Sequence, residues 1–237
     1  MTWIKICGTT NVDDALASVE AGADALGFVF APSPRRISPR DAARITAALP
    51  ASMEKIGVFV NQTVELVLDT VEKAGLTGVQ LHGDEDRSFG QRLLQEARPN
   101  LRLLKAVSLR EIGEAKGKTF AVAAAEGAAA VFSGLLLDSG TQDKRGGTGL
   151  AFDWQEAAPM ARLLAKKFPL VIAGGLKPEN VGKALQIFHP WGVDVVSGVE
   201  QAPGKKDPAK LRAFIAAVRG AEPAAVPQCQ ENAVTRK

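Results

Sequence analysis

Short apolar runs rich in β-branched residues recur along the whole chain, and each is followed by a stretch whose apolar positions return every three or four residues. The runs cover residues 3–6, 25–30, 55–60, 78–81, 102–106, 131–137, 170–173 and 192–196; the amphipathic stretches cover 12–21, 39–49, 63–74, 86–96, 153–167, 177–188 and 208–218. This alternation predicts repeated βα units and a parallel sheet. The punctuation agrees. Asn11 and Ser38 are good caps for the helices that follow them, Pro39 suits a first helical position, and Gly22 and Gly75 stand where a left-handed residue ends a helix. Residues 109–130 are Ala-rich but interrupted by Gly113, Gly117 and Gly127, so a helix is expected there without sharp ends.

Eight such units in about 220 residues, with no linker between halves, favour a closed (β/α)8 TIM barrel over an open doubly wound sheet. No Gly-x-Gly-x-x-Gly follows the first strand, where a doubly wound fold would use it against a pyrophosphate. A single barrel domain is expected over residues 1–220. Residues 221–237 contain two prolines and no apolar period, and read as a disordered tail without chemistry.

Composition narrows the partners. The chain has 237 residues, 46% hydrophobic and 23% charged, a globular mix. No apolar run approaches the roughly 20 residues that cross a bilayer, and the first ten residues lack a secretion signal, so a cytoplasmic protein with no membrane partner is expected. Cys7 and Cys229 are the two cysteines; their spacing suggests neither a disulfide framework nor a metal site. The formal charge is +3, and the basic residues are scattered rather than gathered in a stripe. That suits a small anionic ligand better than nucleic acid.

The chemistry gathers at the C-terminal ends of the predicted strands, where a barrel builds its site. Lys5, Cys7, Asn61, Gln80, His82, Lys105, Asp138, Gly174, Gly175, Asp194, Ser197 and Gly198 all fall there. Lys5 shares a face with Cys7, and an adjacent ammonium favours the thiolate, the form that can take a proton. Asp138 closes Leu135-Leu136-Leu137-Asp138. It is either a turn former or an acid partly desolvated so that it keeps its proton near neutral pH. Small residues after the seventh and eighth strands, Gly174-Gly175 and Ser197-Gly198, free backbone amides where these barrels commonly hold phosphate. Arg35, in Ser33-Pro34-Arg35-Arg36 after strand two, can present a guanidinium to a carboxylate, with Arg36 as the alternative. Gln80 and His82 share a face and are expected to support the site.

With these residues in place the chain resembles the phosphoribosylanthranilate isomerases of tryptophan biosynthesis, over residues 5–219. The resemblance is carried by Lys5-Ile6-Cys7-Gly8, Gly27-Phe28-Val29-Phe30, Ser33-Pro34-Arg35, Gly57-Val58-Phe59-Val60-Asn61, Val79-Gln80-Leu81-His82-Gly83, Leu136-Leu137-Asp138, Gly146-Gly147-Thr148-Gly149, Phe152-Asp153-Trp154, Ala173-Gly174-Gly175-Leu176, Pro178-Glu179-Asn180-Val181 and the segment from Asp194 to Glu200. It implies an Amadori rearrangement of N-(5-phosphoribosyl)anthranilate to 1-(2-carboxyphenylamino)-1-deoxyribulose 5-phosphate, without a cofactor, by a monomer or homodimer. Cys7 is then the general base, with a lowered pKa, and Asp138 the general acid, with a raised one. Lys5, Arg35, Gln80, His82 and Asp194 contact the substrate, and Gly174, Gly175, Ser197 and Gly198 hold its phosphate. Two other readings stand beside it. The related histidine-pathway isomerase uses an aspartate where Cys7 stands and is built from two similar halves, whereas no half-chain repeat is found here. A noncatalytic binder of phosphorylated ligands would not require both Cys7 and Asp138.

Overall fold

The computed structural model describes residues 1–108, 131–138 and 154–221. Eight strands, β1 (Trp3–Cys7), β2 (Ala25–Val29), β3 (Glu54–Phe59), β4 (Gly78–Leu81), β5 (Arg102–Ser108), β6 (Gly134–Asp138), β7 (Leu170–Ala173) and β8 (Gly192–Val195), close in chain order into a parallel barrel. Helices α1 (Val12–Ala21), α2 (Pro39–Ala47), α3 (Val64–Lys73), α4 (Arg87–Glu96), α5 (Trp154–Ala165), α6 (Val181–Phe188) and α7 (Pro208–Ala221) alternate with the strands. The predicted helix at 109–130, the loop Gly146-Gly147-Thr148-Gly149 and the predicted tail beyond Ala221 lie outside the described residues.

The helix starts follow from local chemistry. Asn11, Ser38, Thr63 and Asp86 each accept a hydrogen bond from the backbone N–H three residues on, satisfying a donor that the first turn leaves free. Gly22, at φ 101°, ends α1 in the left-handed conformation that an L side chain resists.

Two apolar layers make the core. Trp3, Ala25, Ile56, Leu104, Ala106, Leu136, Val171 and Ala173 fill the barrel interior, while Ile4, Leu26, Phe28, Phe59, Leu103, Leu137 and Ile172 face the helices. Full burial of one such large side chain stabilises by about 1.5–3 kcal/mol, so the outer layer holds most of the helices in place. The strands' period of two then fixes what reaches the mouth. Cys7 follows Trp3 and Lys5 on the inner face of β1, and Asp138 follows Leu136 on that of β6.

Several boundaries differ from the sequence expectation. β1 runs through Cys7, so the thiol is carried by a strand rather than by the loop after it. β6 starts at Gly134, because Val131 and Phe132 pack on Gly90 of α4 instead; a Cβ at Gly90 would come within 2.8 Å of Val131. Helix α6 starts at Val181, since residues 177–180 form a turn in which Asn180 Oδ1 accepts from Lys177 N–H at 2.8 Å. After β8 come a 3-10 turn (Ser197–Val199) and an antiparallel hairpin, β9 (Glu200–Ala202) and β10 (Lys205–Lys206), which the apolar pattern does not announce.

Candidate active site

Below the mouth, on β1 and β8, Lys5 stands opposite Asp194, and Lys5 Nζ lies 2.9 Å from Asp194 Oδ1. Both are buried, Lys5 completely. Burial alone would lower the pKa of the lysine, but Asp194 and the neighbouring Cys7 outweigh it and hold Lys5 above its ordinary value. An aliphatic pair of similar size would be as stable or more so by about 1–4 kcal/mol, so packing alone does not account for this pair.

One layer higher sits Cys7, 4% exposed. Its register partner on β2 is Gly27, and a Cβ there would come within 2.5 Å of Cys7 Sγ, so the glycine makes the room that the thiol occupies. Gly8 follows at φ 76°, turning the chain away beneath the side chain of Arg35. Burial pushes the Cys7 thiol above its ordinary value; the Lys5 and Lys206 ammonium groups oppose this, and Asp194 adds to it. The expectation of a lowered thiol is therefore corrected. Desolvation in the packed barrel exceeds the pull of the adjacent cations.

On β4 Gln80 points inward, and its Nε2 lies 2.8 Å from His82 Nδ1. With the amide nitrogen donating, Nδ1 accepts and the ring's Nε2–H faces Asp138 Oδ2 at 3.5 Å. Gln80 Oε1 is buried without a hydrogen-bond partner among the described residues. Such an acceptor costs about 1–3 kcal/mol unless something donates to it. Asp138 and His82 are the more open pair, with side chains 23% and 18% exposed.

The last two strands end in small residues, as expected. Gly174 and Gly175 have φ of 82° and 64°, and nothing lies within 4 Å of a Cβ placed on Gly175, which therefore borders open space. A Cβ on Gly198 would come within 1.9 Å of Leu176 O, so only glycine lets the two loops approach. Asn180 Nδ2 donates to Gly175 O at 2.9 Å and fixes the first of them. Because β7 and β8 lie between β6 and β1 in the barrel, these loops are flanked by Asp138 on one side and Cys7 on the other.

Arg35 is half-buried and Arg36 exposed. Arg35 grips Glu200 with Nε at 2.8 and 3.0 Å and Nη2 at 2.6 Å, leaving Nη1 outside that grip. The guanidinium is thus held by a carboxylate of the chain itself, a partner the sequence reading did not foresee.

Two strand-end residues do not join the site. Lys105 alternates with the inward Leu104 and Ala106, so it faces out; its ammonium bonds Gly83 O and lies 3.5 Å from Glu85 Oε2. Asn61, at φ 50°, bonds Asp84 through both atoms of its amide, and Glu85 accepts from the N–H groups of Asn61 and Gly83. Both residues brace the loops after β3 and β4. Glu85 and Lys206 are not singled out in the sequence, and Asn180 and Glu200 stand there only within the matched segments, without a role; the Pro203-Gly204 turn signal marks the neighbourhood of Lys206. Among the described residues no cluster of His, Cys, Asp and Glu could hold a metal ion, and no helix is long and apolar enough to cross a membrane.

Comparison with known proteins follows the same residues. The sequence model described as N-(5'phosphoribosyl)anthranilate (PRA) isomerase matches residues 4–217. The N-(5'-phosphoribosyl)anthranilate isomerase of Geotalea uraniireducens is 45% identical over 223 residues, 93% of this chain and all of that protein, and that of Geobacter sulfurreducens is 43% identical over the same shares. Among solved structures, the phosphoribosyl anthranilate isomerase from Thermotoga maritima superposes with a TM-score of 0.79 at 41% identity, covering 93% of this chain and all of the other. A structure of phosphoribosyl anthranilate isomerase in complex with reduced 1-(o-carboxyphenylamino)-1-deoxyribulose 5-phosphate superposes with a TM-score of 0.76 at 40% identity and the same coverage. The chain belongs to the N-(5'-phosphoribosyl)anthranilate isomerase family of tryptophan biosynthesis.

Proposed function

We propose that in this isomerase Cys7 is the general base and Asp138 the general acid of the Amadori rearrangement. Asp138 gives its proton to the furanose ring oxygen, the C1–O bond breaks, and the anthranilate nitrogen lone pair closes a C=N bond to C1. The Cys7 thiolate then takes the proton from C2, and the released pair forms the C1=C2 enolamine, which tautomerises to the ketone. The observation that carries this reading is the barrel order: Cys7 ends the inner face of β1, Asp138 ends that of β6, and the glycine loops of β7 and β8 lie between them.

The raised thiol fits the role. A thiolate of higher pKa is the stronger base once formed, and the Lys5 ammonium stabilises its charge. His82 Nε2–H orients the Asp138 carboxyl, and Gln80 Oε1 offers its unused acceptor to a sugar hydroxyl. The amides around Gly174, Gly175, Ser197 and Gly198 hold the phosphate, Lys5 and Asp194 frame the sugar, and Nη1 of Arg35 meets the anthranilate carboxylate. A cytoplasmic enzyme acting on a small phosphorylated substrate, as a monomer or homodimer, accompanies this reading.

Turnover of phosphoribosylanthranilate, followed by the loss of anthranilate fluorescence, is the direct test. Cys7→Ala and Asp138→Ala are each expected to lower kcat by at least about 10²- to 10⁴-fold while a product analogue still binds. Near-normal rates in either variant would remove that residue from its role.

A further inference from the structure

The hairpin β9–β10 leaves the 3-10 turn of the glycine loop and folds back over the Cys7 corner. Lys206 Nζ donates to the Cys7 carbonyl at 2.5 Å and to Val196 O at 3.4 Å, and lies 3.2 Å from Glu200 Oε1. Its backbone N–H donates to Asp14 Oδ2 at 2.7 Å. Glu200 Oε1 also accepts from Gly204 N–H at 3.2 Å, and Thr10 Oγ1 donates to Gly204 O at 2.5 Å. With the grip of Glu200 on Arg35, one unbroken chain of contacts runs from the loop after β2, through Glu200 and Lys206, to the backbone of Cys7.

Both charges are deep in protein, Lys206 at 1% and Glu200 at 6% exposure, whereas Lys205 beside them is exposed as a hairpin lysine normally is. Taking an ion out of water costs several kcal/mol before its partner offsets it. A hairpin serving only as a surface turn gains nothing from that arrangement. What the arrangement does achieve is geometric: it fixes the strand end that carries the thiol and the direction of one guanidinium.

We propose that Glu200 and Lys206 are positioning residues for the isomerisation, Glu200 aiming Arg35 over the mouth and Lys206 anchoring the backbone of Cys7. The proposal rests on the roles of Cys7 and Arg35 given above. Glu200 acts on binding of the aromatic carboxylate. Lys206 acts on the proton transfer, and it is also one of the charges acting on the thiol, with Lys5 on β1, Arg35 after β2 and Asp194 on β8; Asp138 and His82 face the same mouth from β6 and the end of β4.

The experiment uses the full chain carrying Cys229→Ser, so that Cys7 is its one thiol, and compares Glu200→Gln and Lys206→Met with that parent. Lys206→Gln, which keeps a donor but drops the charge, is carried alongside in case the methionine variant does not fold. Glu200→Gln should raise KM about tenfold with little change in kcat, in line with a lost charge-assisted hydrogen bond. Lys206→Met should lower kcat about tenfold and move the pH midpoint of Cys7 alkylation by iodoacetamide upward, since one stabilising cation has gone. The proposal is overturned if kcat and KM stay within about twofold of the parent, the range of an ordinary surface change, or if they change only in step with the folded fraction. An unmoved alkylation midpoint in both Lys206 variants would overturn its second half. Failure of the parent to turn over substrate would instead reject the assigned activity, while the alkylation midpoint would still report on Lys206.

Discussion

Lys5 Nζ and Asp194 Oδ1 meet 2.9 Å apart inside the barrel, at opposite ends of the sequence and on directly paired positions of β1 and β8. Removing one partner leaves the other charge buried. Asp194→Asn is expected to destabilise the fold by about 3–5 kcal/mol, whereas Lys5→Met with Asp194→Leu should restore most of that loss. Urea unfolding of the two variants against the unaltered chain measures both effects. The double variant, although stable, should have lost turnover; retained activity would make the pair purely structural.

Gly27 and Gly198 make room for different parts of the site, and alanine should separate them. At Gly27 the added Cβ meets the Cys7 sulfur, so Gly27→Ala should reduce kcat by about 10²-fold through a displaced thiol. At Gly198 it meets the carbonyl of Leu176, so Gly198→Ala should spread the phosphate loops and raise KM by about tenfold or more. Steady-state kinetics distinguish the two patterns.

Arg35 and Arg36 are neighbours with different surroundings. Arg35→Met should raise KM by about tenfold or more, because a guanidinium facing a carboxylate is lost. Arg36→Met should leave both constants within about twofold, as expected for an exposed side chain. The reverse result would move the carboxylate contact to Arg36.

The pH dependence should have two edges. Burial holds the Cys7 thiol above the unfolded value of about 8.5, so the unfolded chain loses this proton first. The stability contributed by Cys7 is present below that pH and falls as pH rises from there toward the folded value. Burial would also raise Glu200, but the hydrogen bonds from Arg35 and the charge of Lys206 outweigh it and hold the carboxyl below its ordinary range. Its contribution is therefore present above about pH 4.3 and is lost as pH falls through the folded value. Urea midpoints across pH should show the acid edge weakened in Glu200→Gln and the alkaline edge weakened in Cys7→Ala.

How much of this was legible beforehand depended on whether the determining forces are local. Strand runs, helix periods and the caps at Asn11 and Ser38 are short-range signals, and they placed Cys7, Asp138 and the glycine pairs at one end of a closed barrel. Lys105 was misplaced because both faces of a parallel barrel strand are apolar, so no alternation around Leu104 and Ala106 tells inward from outward. The thiol's shift was misjudged because Lys5 is visible two residues away, while the desolvation that exceeds it comes from strands far along the chain. The hairpin residues Glu200 and Lys206 lie in two strands too short to have a period, and their partners Arg35 and Cys7 are remote in sequence.

Barrel closure also sets an order of events during synthesis. β1 is made first, yet its open edge is paired by β8, and the Cys7 carbonyl receives its lysine from position 206. On the ribosome, where the chain emerges from its N-terminus, the Cys7 corner therefore cannot assemble until residue 206 has emerged. A nascent chain stalled earlier still, before β8 has emerged, would hold Lys5 without its carboxylate and an unpaired strand edge, the kind of surface that chaperones engage.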